Sequence, residues 1–469
     1  MILALHILIY GFARLIPGIL NFFAIILYTR LIQPDDYGTY AIIVSYITFL
    51  QVIFFNWLNI STLRFMPVFK SNNEQFISSI SGSFVFIALI TIIPFPVLYL
   101  LIDDHSLLIL SMVYLWVHAW GEFNLQISQA RLKPTKYAIM TLIRSFVSVG
   151  ISVTLLYLGI GIESLFYGLI IGNILSSLIN SNEWISIGYR DVNWEIIKKL
   201  LRYGIPLAIS TALTVLIDSS DRIILGMIDS KEAAGVYSVT YDLIQRSMGL
   251  LLVVINMSSI PIIIKSHEEG DVIELDSKIK RTLILLLLIG IPACAGVVYL
   301  EDTLSKVLLG ENFTIGNSNS VISLIAIAIF LSCIKGYYLN IPFLLFKESQ
   351  NQLYISLLGA SINIILNIIL IPFYGMEGAA YSTLITFILI VFFSWHLGKK
   401  YYKLPWAWNE LIKIIISTII MIGILLILDL DHSTQGLIIS ITVGALVYSI
   451  CIIITNILNI RKFLLAKLN

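Results

Sequence analysis

Residues 350–371 read QNQLYISLLGASINIILNIILI, and after Pro372-Phe373-Tyr374-Gly375 residues 376–397 read MEGAAYSTLITFILIVFFSWHL. The first run contains no Asp, Glu, Lys or Arg, and the second contains Glu377 alone. A helix needs about 20 apolar residues to cross the hydrocarbon core of a bilayer, and each run supplies them. The rest of the chain has the same character. Of its 469 residues 58% are hydrophobic and 12% are charged, and mean hydropathy is +0.94. A soluble domain carries about 25% charged residues. A soluble enzyme, a disulfide scaffold, a coiled coil and a disordered chain are therefore excluded as readings of the whole chain. An all-α polytopic membrane protein remains.

Fourteen segments carry the spanning pattern: 6–31, 37–65, 77–102, 105–130, 137–158, 163–184, 204–228, 233–263, 280–300, 317–346, 350–371, 376–397, 409–428 and 435–457. Glu301 to Thr314 reads either as a loop or as an amphipathic surface helix. An even number of spans puts both termini on one side, and the positive-inside rule makes that side cytoplasmic. Twenty Lys and Arg then fall inside, and three, Arg30, Lys231 and Lys306, fall outside. The apolar N-terminus lacks a small-residue cleavage site and reads as a retained helix. Cys294, Cys333 and Cys451 sit in apolar runs without CxxC spacing, which argues against a disulfide framework or zinc site. A net charge of +1 argues against a nucleic-acid partner.

Two stretches recur. Leu31 to Tyr40, with Gly38, aligns with Ile228 to Tyr237, with Gly235, at an offset of 197; Gly161-Ile-Glu163 to Tyr167 aligns with Gly375-Met-Glu377 to Tyr381 at an offset of 214. Spans 1–6 and 7–12 read as two copies of one six-helix unit in parallel orientation. The expected organisation is a first lobe over 1–188, an amphipathic interfacial linker over 189–203, a second lobe over 204–398, and two further spans with a cytoplasmic tail over 399–469. In the linker Trp194, Ile197 and Leu201 share one helical face.

Charges inside spans are costly and mark bundle interiors or wet cavities. Ten are the candidates: Arg14, Arg64, Glu122, Arg144, Asp218, Asp221, Arg222, Asp242, Arg246 and Lys335. The cations Arg14, Arg64, Arg144, Arg222, Arg246 and Lys335 are the candidate substrate-binding groups, since an arginine fork suits a phosphate. Arg64 also lies near enough to a span end to snorkel. Glu122, Asp218, Asp221 and Asp242 are the ion-coupling candidates. Asp218 with Arg222 and Asp242 with Arg246 stand at i, i+4, so intrahelical ion pairs are the plainer reading. His118, Glu122, Gln126 and Gln129 form a polar stripe. Glu122 has no cation on its own helix, which leaves a proton carrier or a pair with Arg14 or Arg144 on another helix. Asn363 and Asn367 read as helix–helix hydrogen-bonding groups. No Walker sequence, HExxH or GxSxG occurs, so neither catalytic nor metal-binding residues nor a cofactor are expected.

The stretch Asn363 to Ala380 resembles the span 11–12 region of bacterial polysaccharide transporters. Leu31 to Tyr40 resembles their first outer loop, Asp221-Arg222 to Tyr237 their span 7–8 region, and Gln129-Ala-Arg131 with Tyr137 the end of span 4. These residues are similar to the O-antigen-type flippases of the multidrug/oligosaccharidyl-lipid/polysaccharide exporter superfamily. The resemblance implies two six-helix lobes in a V, a cationic cavity and alternating access driven by an H+ or Na+ gradient. The implied substrate is an undecaprenyl-pyrophosphate-linked oligosaccharide, moved across the bacterial cytoplasmic membrane for O-antigen, capsule or exopolysaccharide synthesis. Membrane lipids, a glycan polymerase and chain-length machinery are the implied partners. One departure from the family pattern is a short N-terminus with no basic residue before Arg14, as a truncated start would give. A multidrug or cation antiporter of the same superfamily would want an acidic cavity, whereas these in-span charges are net basic. A lipid II flippase would match Pro372 to Ala380 less well. A membrane-embedded glycan polymerase would need a longer outer loop.

Overall fold

The computed structural model describes residues 2–69, 73–101, 104–181, 192–313 and 319–459. Lys70, Asn72, Tyr189, Arg190, Thr314 and the tail with Arg461, Lys462 and Lys467 lie outside the described residues. Among the described residues the chain is helical, with no strand. The helices are α1 (Ile2–Leu31), α2 (Pro34–Phe65), α3 (Asn73–Ile92), α4 (Phe95–Leu101), α5 (His105–Ala130), α6 (Pro134–Tyr157), α7 (Glu163–Leu178), α8 (Trp194–Ile228), α9 (Lys231–Glu268), α10 (Val272–Tyr299), α11 (Glu301–Leu308), α12 (Asn319–Ile334), α13 (Ile341–Leu345), α14 (Ser349–Gly398), α15 (Trp408–Leu428) and α16 (Thr434–Thr455).

Among the described residues, 12 helices are long and apolar enough to cross a membrane. One of them, in α14, contains both runs quoted at the outset. At Gly375 its backbone leaves the helix (φ 54°, ψ −129°), so it forms two spans rather than one. The shorter apolar α7 occupies the sixth expected span. Every expected segment thus falls on a helix, and the protein is a multi-pass membrane protein. Glu301–Leu308 is a helix, which decides between the two readings of that stretch. The basic stretch before span 7 is helical from Trp194, but as the first turns of α8 rather than as a separate element. Its buried side is Ile196, Ile197 and Leu200, while Trp194 is exposed.

Local chemistry sets the helix starts. Pro34 opens α2, with Asp35 and Asp36 in the first turn facing the positive end of its dipole. Side chains cap α5 (Asp104 to Leu107 N), α8 (Asn193 to Glu195 N) and α10 (Asp271 to Glu274 N). The Leu107 N–H holds the Asp104 carboxyl below the usual carboxylate range.

The chain divides into two compact units, Met1–Gly235 and Val236–Asn469. The core of the first joins α2, α3, α5 and α8 through Phe55, Leu58, Phe76, Ile80, Phe123 and Leu200. Small residues let its backbones approach closely. A Cβ on Gly168 of α7 would lie 2.4 Å from the Ser148 carbonyl oxygen of α6. Within the same unit Gly38 and Gly235, the aligned glycines, meet reciprocally. A Cβ on Gly38 would lie 1.8 Å from the Lys231 carbonyl oxygen, and one on Gly235 would lie 2.0 Å from the Pro34 carbonyl oxygen. In the second unit Asn363 and Asn367 are fully buried. Asn367 Nδ2 donates to Asn363 Oδ1 at 3.1 Å, and Ser382 Oγ donates to the Asn363 carbonyl at 3.0 Å. They do join the two halves of α14.

The units also repeat one another around the second aligned pair, with a serine partner that lies outside the aligned stretches. Gly161 and Gly375 both take positive φ, 80° and 54°. Just beyond them, Glu163 accepts a hydrogen bond from Ser106 at 3.5 Å, and Glu377 accepts one from Ser320 at 2.7 Å. Ser106 and Ser320 are 214 residues apart, the offset that separates the two glutamates. We expect Ser320→Ala to cost about 1 kcal/mol in thermal-shift measurements. The longer, exposed Ser106 bond should contribute less, so Ser106→Ala should fall within the error.

Candidate functional site

The polar stripe of α5 is half-buried at all four positions, His118, Glu122, Gln126 and Gln129. Arg144 of α6 meets it, with Nη1 donating to Glu122 Oε1 at 2.6 Å. This is the length of a strong charge-assisted bond. The two side chains keep 26% and 28% of their surface exposed, so the pair is accessible from one side. The backbone at Arg144 is fixed from behind, because a Cβ on Gly172 of α7 would lie 2.7 Å from the Arg144 carbonyl oxygen. One turn from Glu122 the His118 ring packs on Tyr114, with centroids 5.3 Å apart. Of the alternatives that the sequence left for Glu122, the structure shows the pair with Arg144.

Another face of α5 holds a group that the sequence reading missed. Asn180, beyond the end of α7, donates to the Asn124 carbonyl at 2.8 Å and to Ser128 Oγ at 3.1 Å. It is fully buried and locks the ends of α5 and α7 together. A lone asparagine at the end of an apolar run carries no signal of this in sequence.

The remaining candidates in the first unit are spread over other helices. Arg14 on α1 and Arg64 in the last turn of α2 are exposed. On α8 Asp221 is buried, while Asp218 and Arg222 are half-buried. In the second unit Asp242 and Arg246 are half-buried on α9. Nε of Arg246 is itself buried and makes no hydrogen bond among the described residues. Buried guanidinium N–H groups normally have an acceptor.

Lys335, also half-buried, begins a π turn, Lys335–Leu339, that separates α12 from α13. The Asn340 N–H reaches back five residues to the Lys335 carbonyl at 3.1 Å. The cause lies just downstream. Pro342 has no N–H for the Tyr338 carbonyl, and its ring crowds that carbonyl, so the helix widens before it.

Comparison with known proteins bears on what this arrangement serves. Over 311 residues the chain is 21% identical to the probable low-salt glycan biosynthesis flippase Agl15 of Haloferax volcanii, covering 65% of this chain and 64% of Agl15. Over 406 residues it is 22% identical to the capsular polysaccharide biosynthesis protein CapF of Staphylococcus aureus, covering 83% of this chain and 97% of CapF. Its fold is similar to that of a solved structure of the lipid II flippase MurJ, itself in an inward closed conformation, with a TM-score of 0.77 over 95% of this chain and 98% of MurJ at 19% identity. It is also similar to an inward-facing multidrug resistance MATE family transporter of the MOP superfamily, with a TM-score of 0.62 at 15% identity, over 84% of this chain and 97% of that one. A family model described as polysaccharide biosynthesis protein matches residues 27–318. The match takes in α2 to α11 and more than half of the chain, and the chain belongs to the polysaccharide biosynthesis protein family.

Proposed function

We propose that this protein is a flippase that carries undecaprenyl-pyrophosphate-linked oligosaccharide repeat units across the bacterial cytoplasmic membrane. It thereby feeds the synthesis of a surface polysaccharide. The observation that carries the reading is the family match over residues 27–318, with a flippase and a capsule biosynthesis protein among the relatives. Arginines inside spans support it. Arg144, Arg222 and Arg246 sit at membrane depth where a charge is costly, and Arg246 holds a buried N–H without an acceptor among the described residues. A pyrophosphate supplies acceptors that a guanidinium fork engages two at a time. Alternating access coupled to an H+ or Na+ gradient moves the head group, with Glu122, Asp218, Asp221 and Asp242 as the coupling acids. Both termini face the cytoplasm, where a glycan polymerase's substrate is first assembled; the polymerase and chain-length machinery act on the delivered product.

The test is transfer of a fluorescent lipid-linked oligosaccharide across proteoliposome bilayers. Arg246→Ala should lower the rate at least tenfold, and Arg246→Lys should retain part of it, because lysine keeps the charge but loses the fork. Arg222→Ala and Lys335→Ala should act in the same direction. Wild-type transfer by all three alanine variants at normal protein level would remove the cationic site. Topology has its own check: cysteines at Ser230 and Ser433 should react with an impermeant thiol reagent from outside, and one at Ser349 from inside.

A further inference from the structure

The first unit contains an apolar cavity of about 270 Å³ between α2 and α8, with no polar side chain in its lining. Phe49 and Ile53 form one edge, Ile205, Ile209 and Leu216 the other, and Ala212 part of the floor. It exists because Ala208 and Ala212 are too small to fill the space between the two helices. Ile53, Ile205 and Ile209 are exposed at its rim.

A basic cluster lies further along the same helix faces. On α8 residues 198, 202, 205, 209, 212 and 216 are spaced four and three apart, so Lys198 and Arg202 lie in line with the lining residues. On α2 residues 49, 53, 60 and 64 likewise share a face. The helices run antiparallel in a register fixed by two contacts. Ser61 Oγ donates to the Leu200 carbonyl at 2.9 Å, and a Cβ on Gly204 would lie 2.4 Å from the Trp57 carbonyl oxygen. Arg64, a turn beyond Ser61, is therefore level with Lys198. Arg64, Lys198 and Arg202 are all exposed. Lys199 beside them is turned onto the rings of Phe65 and Phe69, 5.1 and 5.3 Å from their centroids. The acidic group nearest in sequence is Glu195, exposed at the helix start.

An apolar slot in a membrane-spanning helix pair, with three exposed cations further along the same faces, matches a lipid with a long chain and a multiply anionic head. We infer that the α2–α8 groove is a binding site for the polyprenyl pyrophosphate portion of the transported lipid: chain against Phe49, Ile53, Ile209 and Leu216, pyrophosphate at Arg64, Lys198 and Arg202. The inference rests on the flippase reading for the source of the lipid. It gives Arg64 a role in holding the head group, apart from the cations deeper in the spans. A strongly basic head site favours pyrophosphate over the single charge of a phospholipid headgroup. Methyl-branched isoprenoid units suit a slot edged by branched and aromatic side chains.

The experiment uses the full chain in nanodiscs and a diazirine-tagged heptaprenyl pyrophosphate as the probe. Irradiation followed by peptide mapping should place adducts on the peptides containing Phe49–Ile53 and Ile205–Leu216. Ala212→Trp, which fills the floor, should cut labelling at least tenfold. Ile209→Gln, at an exposed rim position, should cut it about threefold and keeps the test valid if Ala212→Trp does not fold. Arg64→Ala combined with Arg202→Ala should lower labelling about tenfold while leaving the melting temperature unchanged. Untagged heptaprenyl pyrophosphate should compete, whereas inorganic pyrophosphate and dioleoylphosphatidylglycerol at equal concentration should not. Equal competition by phosphatidylglycerol would overturn the inference in favour of an ordinary anionic-lipid site. So would labelling spread evenly over the spans, or labelling indifferent to Ile209→Gln and the arginine pair. Groove labelling in a protein that transfers no lipid-linked glycan would sink the flippase reading and leave the groove. Wild-type transfer and labelling by the groove variants would sink the groove alone.

Discussion

Glu122→Gln should lower the thermal stability and steady-state level of the protein more than neutralising any exposed charge. The substitution leaves Arg144 charged, half-buried and facing an amide. Removing one partner of a buried pair costs about 3–5 kcal/mol, and the partial exposure of this one brings the expected loss to about 2–3 kcal/mol. Arg144→Met alone should cost a similar amount. The double variant Glu122→Gln, Arg144→Met should recover most of it, because no charge is then stranded. Thermal unfolding of the four proteins measures the coupling. The same set tests the pair in transport. If Glu122→Gln folds normally and still binds lipid-linked glycan, but its transfer no longer responds to a pH gradient, the pair opens during the cycle and Glu122 carries the proton. Normal folding with an unchanged gradient response would exclude Glu122 and leave Asp218 as the coupling acid.

Gly38→Val is the second substitution with a large expected effect. The β-carbon alone would lie 1.8 Å from the Lys231 carbonyl oxygen, and backbone atoms cannot move aside as a side chain can. Overpacking a tight contact costs about 1–3 kcal/mol, and a branched side chain against backbone belongs at or above the top of that range. Gly235→Val should do the same from the other side. Gly249, in the middle of α9, has open space where a Cβ would sit, with nothing within 4 Å. Gly249→Ala should therefore be neutral or stabilising by about 0.5–1 kcal/mol, since alanine loses less backbone freedom in a helix. A Gly38→Val protein that melts with the wild type would show that the two helix starts are not in contact in the membrane.

The spans were readable because hydropathy is a local property: 20 apolar residues in a row have few other solutions in a cell. The Gly375 break was readable for the same reason, since Pro372 and Gly375 mark a turn without help from tertiary structure. The aligned glycines were readable too, but not their reason. Sequence places Gly38 and Gly235 at equivalent positions, and only the packing shows that each accommodates the other's backbone. The partner of Glu122 was out of reach, because it depends on the rotation and height of α6 against α5. Arg14 and Arg144 were both compatible with that acid in sequence, and Arg144 is at 2.6 Å in the structure. Ser106 and Ser320 were invisible for a different reason. Serine is common in spans, and its meaning comes from the glutamate it meets 57 residues later.

The π turn at Lys335 has an evolutionary corollary. Such a turn holds one residue more than the α-helical turn it replaces, as though a single codon had been inserted. Elsewhere in a spanning helix an insertion or deletion of one residue swings everything beyond it by about 100° and misplaces a whole face. Between Lys335 and Leu339 the surplus is absorbed locally, so this is where related chains can differ in length by one residue without losing their frame. A homologue lacking that residue should run straight through as an α-helix, and the price would be the altered direction of Lys335.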